Sequence, residues 1–357
     1  MRGLRVAVLP GDTGACGHYR LIWPADAVRA LRPDWEVTVY DPRAVKIERA
    51  VDGIRVHGLP WAEIDLLVTQ RVGLPAVADL CEFVQARGVA VVMDMDDAMW
   101  ALDPANTAYR AWNAPRTARS PLHWSIIDEV ARTADMVTVT TPALAAHYGG
   151  HGRVEVLPNR IPRMALTVAA PTPRPLVPIA GWSGLLATHP HDPKAVGDAV
   201  RAAASAGVVK PAVMGDAYRT GKMWGTRVID LPVQPLGMPY YRQLAQLDIG
   251  MVPLDLAGSS AVFNQAKSSL KALEMAATGA AVIASPSPAN LEFAQEVPIR
   301  IATDPGDWQE HLIELSDRGA RYEQAVKQRA AIEAGWVLQD RAADWADAWV
   351  SAVKNRR

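Results

Sequence analysis

Short runs of Val, Ile, Leu and Ala recur along the chain, each closed by Gly, Pro or Asp. In the first half they are Leu4–Pro10, Val37–Asp41, Ile64–Gln70, Val89–Asp94, Met136–Thr141 and Val154–Pro158. Between several of them, apolar residues fall at helical spacing, over Tyr19–Leu31, Pro75–Arg87 and Trp124–Ala134. The runs are apolar on both faces, as strands of a parallel sheet covered by helices are. The pattern then pauses, because residues 162–178 carry five prolines and little periodicity and read as a linker. Beyond it the alternation resumes. Strands are predicted at Ile179–Trp182, Ala212–Gly215, Val228–Leu231, Ile249–Pro253, Ala281–Ser285 and Ile299–Ala302. Helices are predicted at Lys194–Ala206, Tyr240–Leu247, Lys267–Thr278, Asp307–Asp317 and Arg321–Glu333. Leu338, Ala342, Trp345, Trp349 and Val353 then form one apolar helical stripe that must be buried somewhere. The expected organisation is α/β, with doubly wound domains at 1–165 and 175–335 and a C-terminal helix in 336–357.

Composition narrows the function classes. The 357 residues suffice for two domains, and 50% hydrophobic with 21% charged is a globular balance. With 37 basic and 38 acidic residues the net charge is −1, so partners are not gathered by bulk electrostatics, which leaves room only for a local basic patch. No run of about 18 apolar residues predicts a transmembrane helix. The N-terminus enters a strand without the shape of a signal peptide, and the expected location is cytoplasmic. Two cysteines, Cys16 and Cys81, make neither a disulfide framework nor a zinc site.

In doubly wound sheets ligands bind beyond the carboxyl ends of strands, and the chemistry-bearing residues of this chain follow strands. In Asp248–Ser285 a strand ends at Pro253, Lys267, Ser268 and Ser269 are expected to open a helix, and Lys271 and Glu274 lie on it. Helix N-terminal N–H groups attract anions, and Lys267 adds a full charge. Glu274, seven residues beyond Lys267, is expected on the same side as an exposed carboxylate suited to the two hydroxyls of a ribose. Capping and solvated charge explain the serines and lysines equally well when they are taken alone. After the first strand, Gly11, Gly14 and Gly17 lack the spacing of a dinucleotide fingerprint. Gly181–Gly184 followed by His189, His191 and Asp192 forms a second small-residue turn, and its two histidines lack the further ligands of a metal site. The run Val89–Asp97 ends in Asp94, Asp96 and Asp97. Four roles stay open for it: a phosphatase nucleophile, a cation site, contacts to an acceptor hydroxyl, or an architectural part such as a helix N-cap. Trp100, Tyr109, Trp112 and Trp124 fall in an irregular stretch and suit either sugar stacking or a core.

These motifs together resemble GT-B glycosyltransferases, in particular family-four-like retaining enzymes and their bacterial and phage relatives. The matching residues are Asp248-Ile249-Gly250, Val252-Pro253-Leu254, Phe263-Asn264, Lys267-Ser268, Lys271, Glu274 and Gly279 before Ala281–Ser285, with the glycine loop Asp12–Pro24, Ala134–Pro142, Val156–Asn159 and Gly181–Asp192. The resemblance implies two Rossmann-like domains facing a central cleft, with the C-terminal helix crossing back to the first. It implies a UDP- or GDP-sugar as donor substrate, no cofactor and no metal. Gly184, His189, Gly215, Asn264, Lys267, Ser268, Ser269, Lys271 and Glu274 would hold the donor, His189 by donating to a phosphate oxygen. Gly14, Gly17, His18, Asp94 and Asp97 would lie on the acceptor side, and Lys267 and Asp96 would serve catalysis. The commoner family pattern has a second Glu eight residues before Glu274, where this chain has Ala266.

The expected function is therefore transfer of a sugar to a hydroxyl acceptor: modified DNA, protein, lipid or glycan, in a host cytoplasm if phage-encoded. Two rivals stand beside it, a phosphatase-like hydrolase using Asp94 and Asp96, and a GT-B protein that binds nucleotide or glycan without turnover.

Overall fold

Strand β1 (Arg5–Leu9) lies inside a six-stranded sheet with β2 (Glu36–Val39), β5 (Leu66–Gln70), β6 (Ala90–Met95), β7 (Met136–Val139) and β8 (Val154–Val156). The order is β2-β1-β5-β6-β7-β8, and every pairing is parallel. The computed structural model describes residues 3–50, 53–113, 122–151, 153–168, 171 and 176–356. Arg174, in the proline-rich stretch, and residues 114–121 of the irregular stretch lie outside the described residues. All residues of β5 and β6 are buried, whereas the edge strands β2 and β8 are partly exposed, which is how a helix-covered parallel sheet distributes its apolar runs.

One antiparallel pair, β3 (Lys46–Ala50) and β4 (Gly53–His57), was not among the expected elements. Its residues alternate between partly buried and exposed over much of the pair, so it offers no fully apolar run to read. Arg49 ties it to Asp79 of the helix Pro75–Gln85 at 2.6 Å.

A second six-stranded parallel sheet contains β9 (Ile179–Gly184), β10 (Lys210–Gly215), β11 (Ile229–Leu231), β12 (Ile249–Val252), β13 (Ala281–Ala284) and β14 (Arg300–Ile301), in the order β11-β10-β9-β12-β13-β14. Ala180, Trp182, Val200, Val213, Met251, Ile283, Trp308 and Leu312 fill one core beside it.

The chain divides into two compact units. The first comprises residues 1–100, 110–159 and 338–357, and the second residues 101–109 and 160–337. The C-terminal helix Ala342–Lys354 buries Trp345 and Trp349 in a core with Val6, Val8, Leu21, Val28, Leu66 and Val68 of the first unit. The proline-rich stretch falls within the second unit, where Arg163–Thr167 forms a short 3-10 turn. Among the described residues no helix is long and apolar enough to cross a membrane.

Candidate functional site

In both sheets the strand order reverses beside the first strand of the unit, between β1 and β5 and between β9 and β12. Loops leaving the carboxyl ends on either side of such a point diverge and leave room for a ligand. The sequence-derived candidates gather at these two places.

In the second unit, β9 and β10 end side by side on Gly184 and Gly215. Gly215 has φ +150°, and a Cβ there would lie 1.9 Å from the Gly184 carbonyl oxygen. A Cβ on Gly184 would meet the Trp182 ring at 2.5 Å. Both positions therefore require glycine, because a side chain at either would strike the neighbouring strand end or the Trp182 ring. The loop after β9 is organised by Asp192, a carboxylate that is only 2% exposed. Its Oδ2 accepts from His189 Nδ1 at 2.8 Å, and its Oδ1 accepts from Asn264 Nδ2 at 2.7 Å and from the Asp255 backbone N–H at 3.0 Å. One buried acid therefore joins the loops after β9 and β12 to the short helix Ala261–Gln265. Residues 101–109 brace the same loops. Asn106 Nδ2 donates to the Thr188 carbonyl at 3.0 Å, and Ser259 and Ser260 hydroxyls donate to Asp103.

Lys267 and Lys271 are both near enough to His189 to act on its charge. Burial is the larger influence, and with the two ammonium groups it holds the imidazole well below its ordinary value of 6.5. Burial works against ionisation of Asp192 too, but His189, the Asp255 amide and Lys267 outweigh it and keep the carboxyl below its usual range. Both shifts oppose acid. As pH falls below 6.5 the unfolded chain protonates this imidazole while the folded ring stays neutral, so the unfolded state binds more protons and stability declines. The contribution is up to about 1.4 kcal/mol per pH unit. Urea midpoints should fall with pH over that window, and less so in His189→Asn; equal pH dependence in parent and variant would contradict the assignment.

The expected helix start is displaced. The helix spans Leu270–Ala277 with Ser269 at its N-cap, and Lys267 and Ser268 lie in the irregular link before it. The Lys267 ammonium instead stands 4.5 Å over the Phe263 ring. Lys271 and Glu274, three residues apart on this helix, are the pair that shares a face. Glu274 is not the exposed carboxylate that the sequence suggested; it is 5% exposed, and Tyr240 Oη donates to its Oε2 at 2.9 Å. Burial first, then Glu274, keep the Tyr240 phenol protonated, and Ser183 hydrogen-bonds the same phenol. Substituting Glu274 would disturb packing as well as any ligand. Tyr240 was not a candidate, because nothing in local spacing marks a partner 34 residues away, and Asp192 was read only as the end of a loop with no role of its own.

In the first unit the acidic strand end is already partnered. Asp94 is 1% exposed and accepts from Arg20 Nε at 2.9 Å, Arg20 Nη2 at 2.7 Å and Thr138 Oγ1 at 2.7 Å. Burial raises this carboxyl, while Arg20 and Thr138 oppose the rise. Both of its oxygens are thus taken by partners within the fold. Arg71 grips both oxygens of Asp96 at 2.5 Å and reaches Asp97 at 3.4 Å. Guanidinium groups thus stand where a cation held by an Asp-x-Asp pair would stand. Arg71 also has φ +49°, the one positive value at a non-glycine residue among those described.

Asp12 caps the glycine loop from within, its Oδ1 accepting from the Gly14 and Gly17 amides at 2.7 and 3.2 Å. A carboxylate of the chain therefore takes those two N–H groups, and His18 Nδ1 meets the Gly14 carbonyl at 2.8 Å. Burial pushes the Cys16 thiol far up, which disfavours the thiolate. Trp100 stacks on His147 at 3.5 Å. His191 faces Asp103 at 3.4 Å, whereas His189 pairs with Asp192. Among the described residues no three His, Cys, Asp or Glu converge as a metal site.

No protein-family model matches the sequence, and no curated protein matches it. Solved structures do. Sucrose-phosphate synthase from Thermosynechococcus elongatus superposes with TM-score 0.62 at 13% identity, over 97% of this chain and 98% of that one. Anabaena HepE in complex with UDP-glucose gives 0.63 at 11% identity, over 97% and 100%. A glycosyltransferase from Rickettsia africae gives 0.63 at 10% identity, over 99% and 100%. The chain has the GT-B fold. In GT-B terms, the site just described in the second unit lies at that unit's strand-order reversal, and the Arg20 and Arg71 pairs lie at the carboxyl end of the first unit's sheet.

Proposed function

We propose that this chain is a glycosyltransferase that moves a sugar from a UDP- or GDP-sugar to a hydroxyl acceptor. The observation that carries the reading is the second unit's reversal point. There bare glycine backbone, Lys267, Lys271 and the Glu274–Tyr240 pair adjoin the loops after β9 and β12. HepE, a protein of the same fold, was crystallised with UDP-glucose, which supports a nucleotide sugar as donor here. Lys267 and Lys271 would hold the diphosphate and stabilise the charge that builds on it as the glycosidic bond breaks. Ser268 and Ser269 would add hydroxyls, and Glu274 would meet the ribose. Asp96 and Asp97, steered by Arg71, are the acceptor-side candidates. Retention of anomeric configuration belongs to the proposal and rests on the sequence resemblance. Ala266, in place of the commoner Glu, favours the second reading, a protein that binds donor without turnover.

The test is calorimetric titration of UDP, GDP, UDP-glucose and GDP-glucose, followed by assay of donor hydrolysis and transfer with excess EDTA. Binding and EDTA-resistant turnover are expected, because two lysines supply the charge a cation would otherwise supply. Binding without turnover supports the second reading. A strict need for magnesium or manganese would remove the proposed role of the lysines.

A further inference from the structure

The donor-side histidine has a fixed direction. A carboxylate accepts hydrogen bonds and donates none when ionised, so the 2.8 Å contact to Asp192 Oδ2 requires the hydrogen of a neutral His189 ring on Nδ1. Asp192 has no freedom to turn away, because Asn264 and the Asp255 amide hold its other oxygen and it is 2% exposed. The edge of the ring is set against Trp182, with centroids 6.4 Å apart. The remaining nitrogen, Nε2, makes no hydrogen bond among the described residues, and the side chain is 11% exposed, so it presents a lone pair at the surface of the site.

We infer that Asp192 is a positioning residue that holds His189 as the Nδ1–H tautomer, so that bare Nε2 accepts a hydroxyl of the transferred sugar. This rests on the proposed nucleotide-sugar reading and changes the part His189 plays in it. A lone pair faces a phosphate oxygen as acceptor against acceptor and is repelled. A sugar hydroxyl is a donor and fits. The charged groups acting on the ring agree with this: Lys267 and Lys271 discourage a second proton, and Asp192 is already satisfied by the first. If the two lysines hold the diphosphate, the sugar it carries comes next to the imidazole.

The experiment compares each sugar nucleotide with its free diphosphate, using UDP-glucose against UDP and GDP-glucose against GDP, in the parent, His189→Ala and Asp192→Asn. Nitrogen-15 spectra of the histidines report the tautomer, and circular dichroism reports folding. The parent should show the Nδ1–H pattern. His189→Ala should weaken binding of the sugar nucleotide about three- to tenfold, the worth of one neutral hydrogen bond, and leave the free diphosphate within about twofold. Asp192→Asn should mix the tautomers and lose the same discrimination while remaining folded. Equal loss for the sugar nucleotide and the free diphosphate would make His189 a phosphate ligand and overturn the inference. So would an Nε2–H pattern in the parent, or unchanged affinities in His189→Ala. Should the parent bind none of the four ligands, the nucleotide-sugar reading itself falls, and the inference with it. If instead Asp192→Asn unfolds, the His189→Ala comparison and the parent spectrum still decide.

Discussion

Replacing Arg20 with methionine is expected to lower unfolding free energy by about 3–5 kcal/mol, because it strands a buried charge. Arg20 and Asp94 are each 1% exposed, and the guanidinium also donates to the Leu157 carbonyl at 2.7 Å and to Asn159 Oδ1 at 3.1 Å. Methionine fills much of the volume but supplies no donor. Among the described residues Asp94 then keeps the Thr138 hydroxyl, and the Leu157 carbonyl and Asn159 Oδ1 lose this donor. The loss should appear as a lower urea midpoint at neutral pH. A pair of substitutions, Arg20→Met with Asp94→Leu, should recover much of it, because apolar replacement of both partners removes the unpaired charge. If Arg20→Met matches the parent, the ion pair is not closed as described.

Removing both lysines of the second unit should have the largest effect on ligand binding. Lys267→Ala with Lys271→Ala is expected to weaken UDP or GDP binding by about 10²- to 10⁴-fold. Each hydrogen bond to a charged group is worth about 1.5–3 kcal/mol, or roughly one to two powers of ten. Parent affinity should also fall with added salt, and the variant should lose that dependence. Lys210 begins β10 at the opposite end of the same sheet and is exposed, so Lys210→Ala removes one lysine charge away from the site and should bind as the parent does. Calorimetry at low and high salt reads all of these. If the double variant binds within threefold of the parent, the diphosphate is held elsewhere.

The element pattern was legible because it is local. A buried parallel strand such as Leu66–Gln70 is an unbroken apolar run, and the Trp345–Trp349 stripe repeats at helical spacing whatever it packs on. The glycines at 184 and 215 could likewise be read as close-approach points where strands end. Other features were decided by tertiary structure. Nothing in the local sequence singles out Arg20, and only the placing of the segment His18–Ile22 against the end of β6 sets it against Asp94, 74 residues away. Tyr240 meets Glu274 across 34 residues, and Asp192 meets Asn264 across 72. The helix expected from Lys267 begins at Leu270, because the short helix Ala261–Gln265 ends just before it and Lys267 and Ser268 link the two. Periodicity reports which residues face a core, since burial repeats with the local backbone. The partner of a buried charge is set by which crossover returns which strand to its neighbour, and that is a property of the closed sheet rather than of any segment in it.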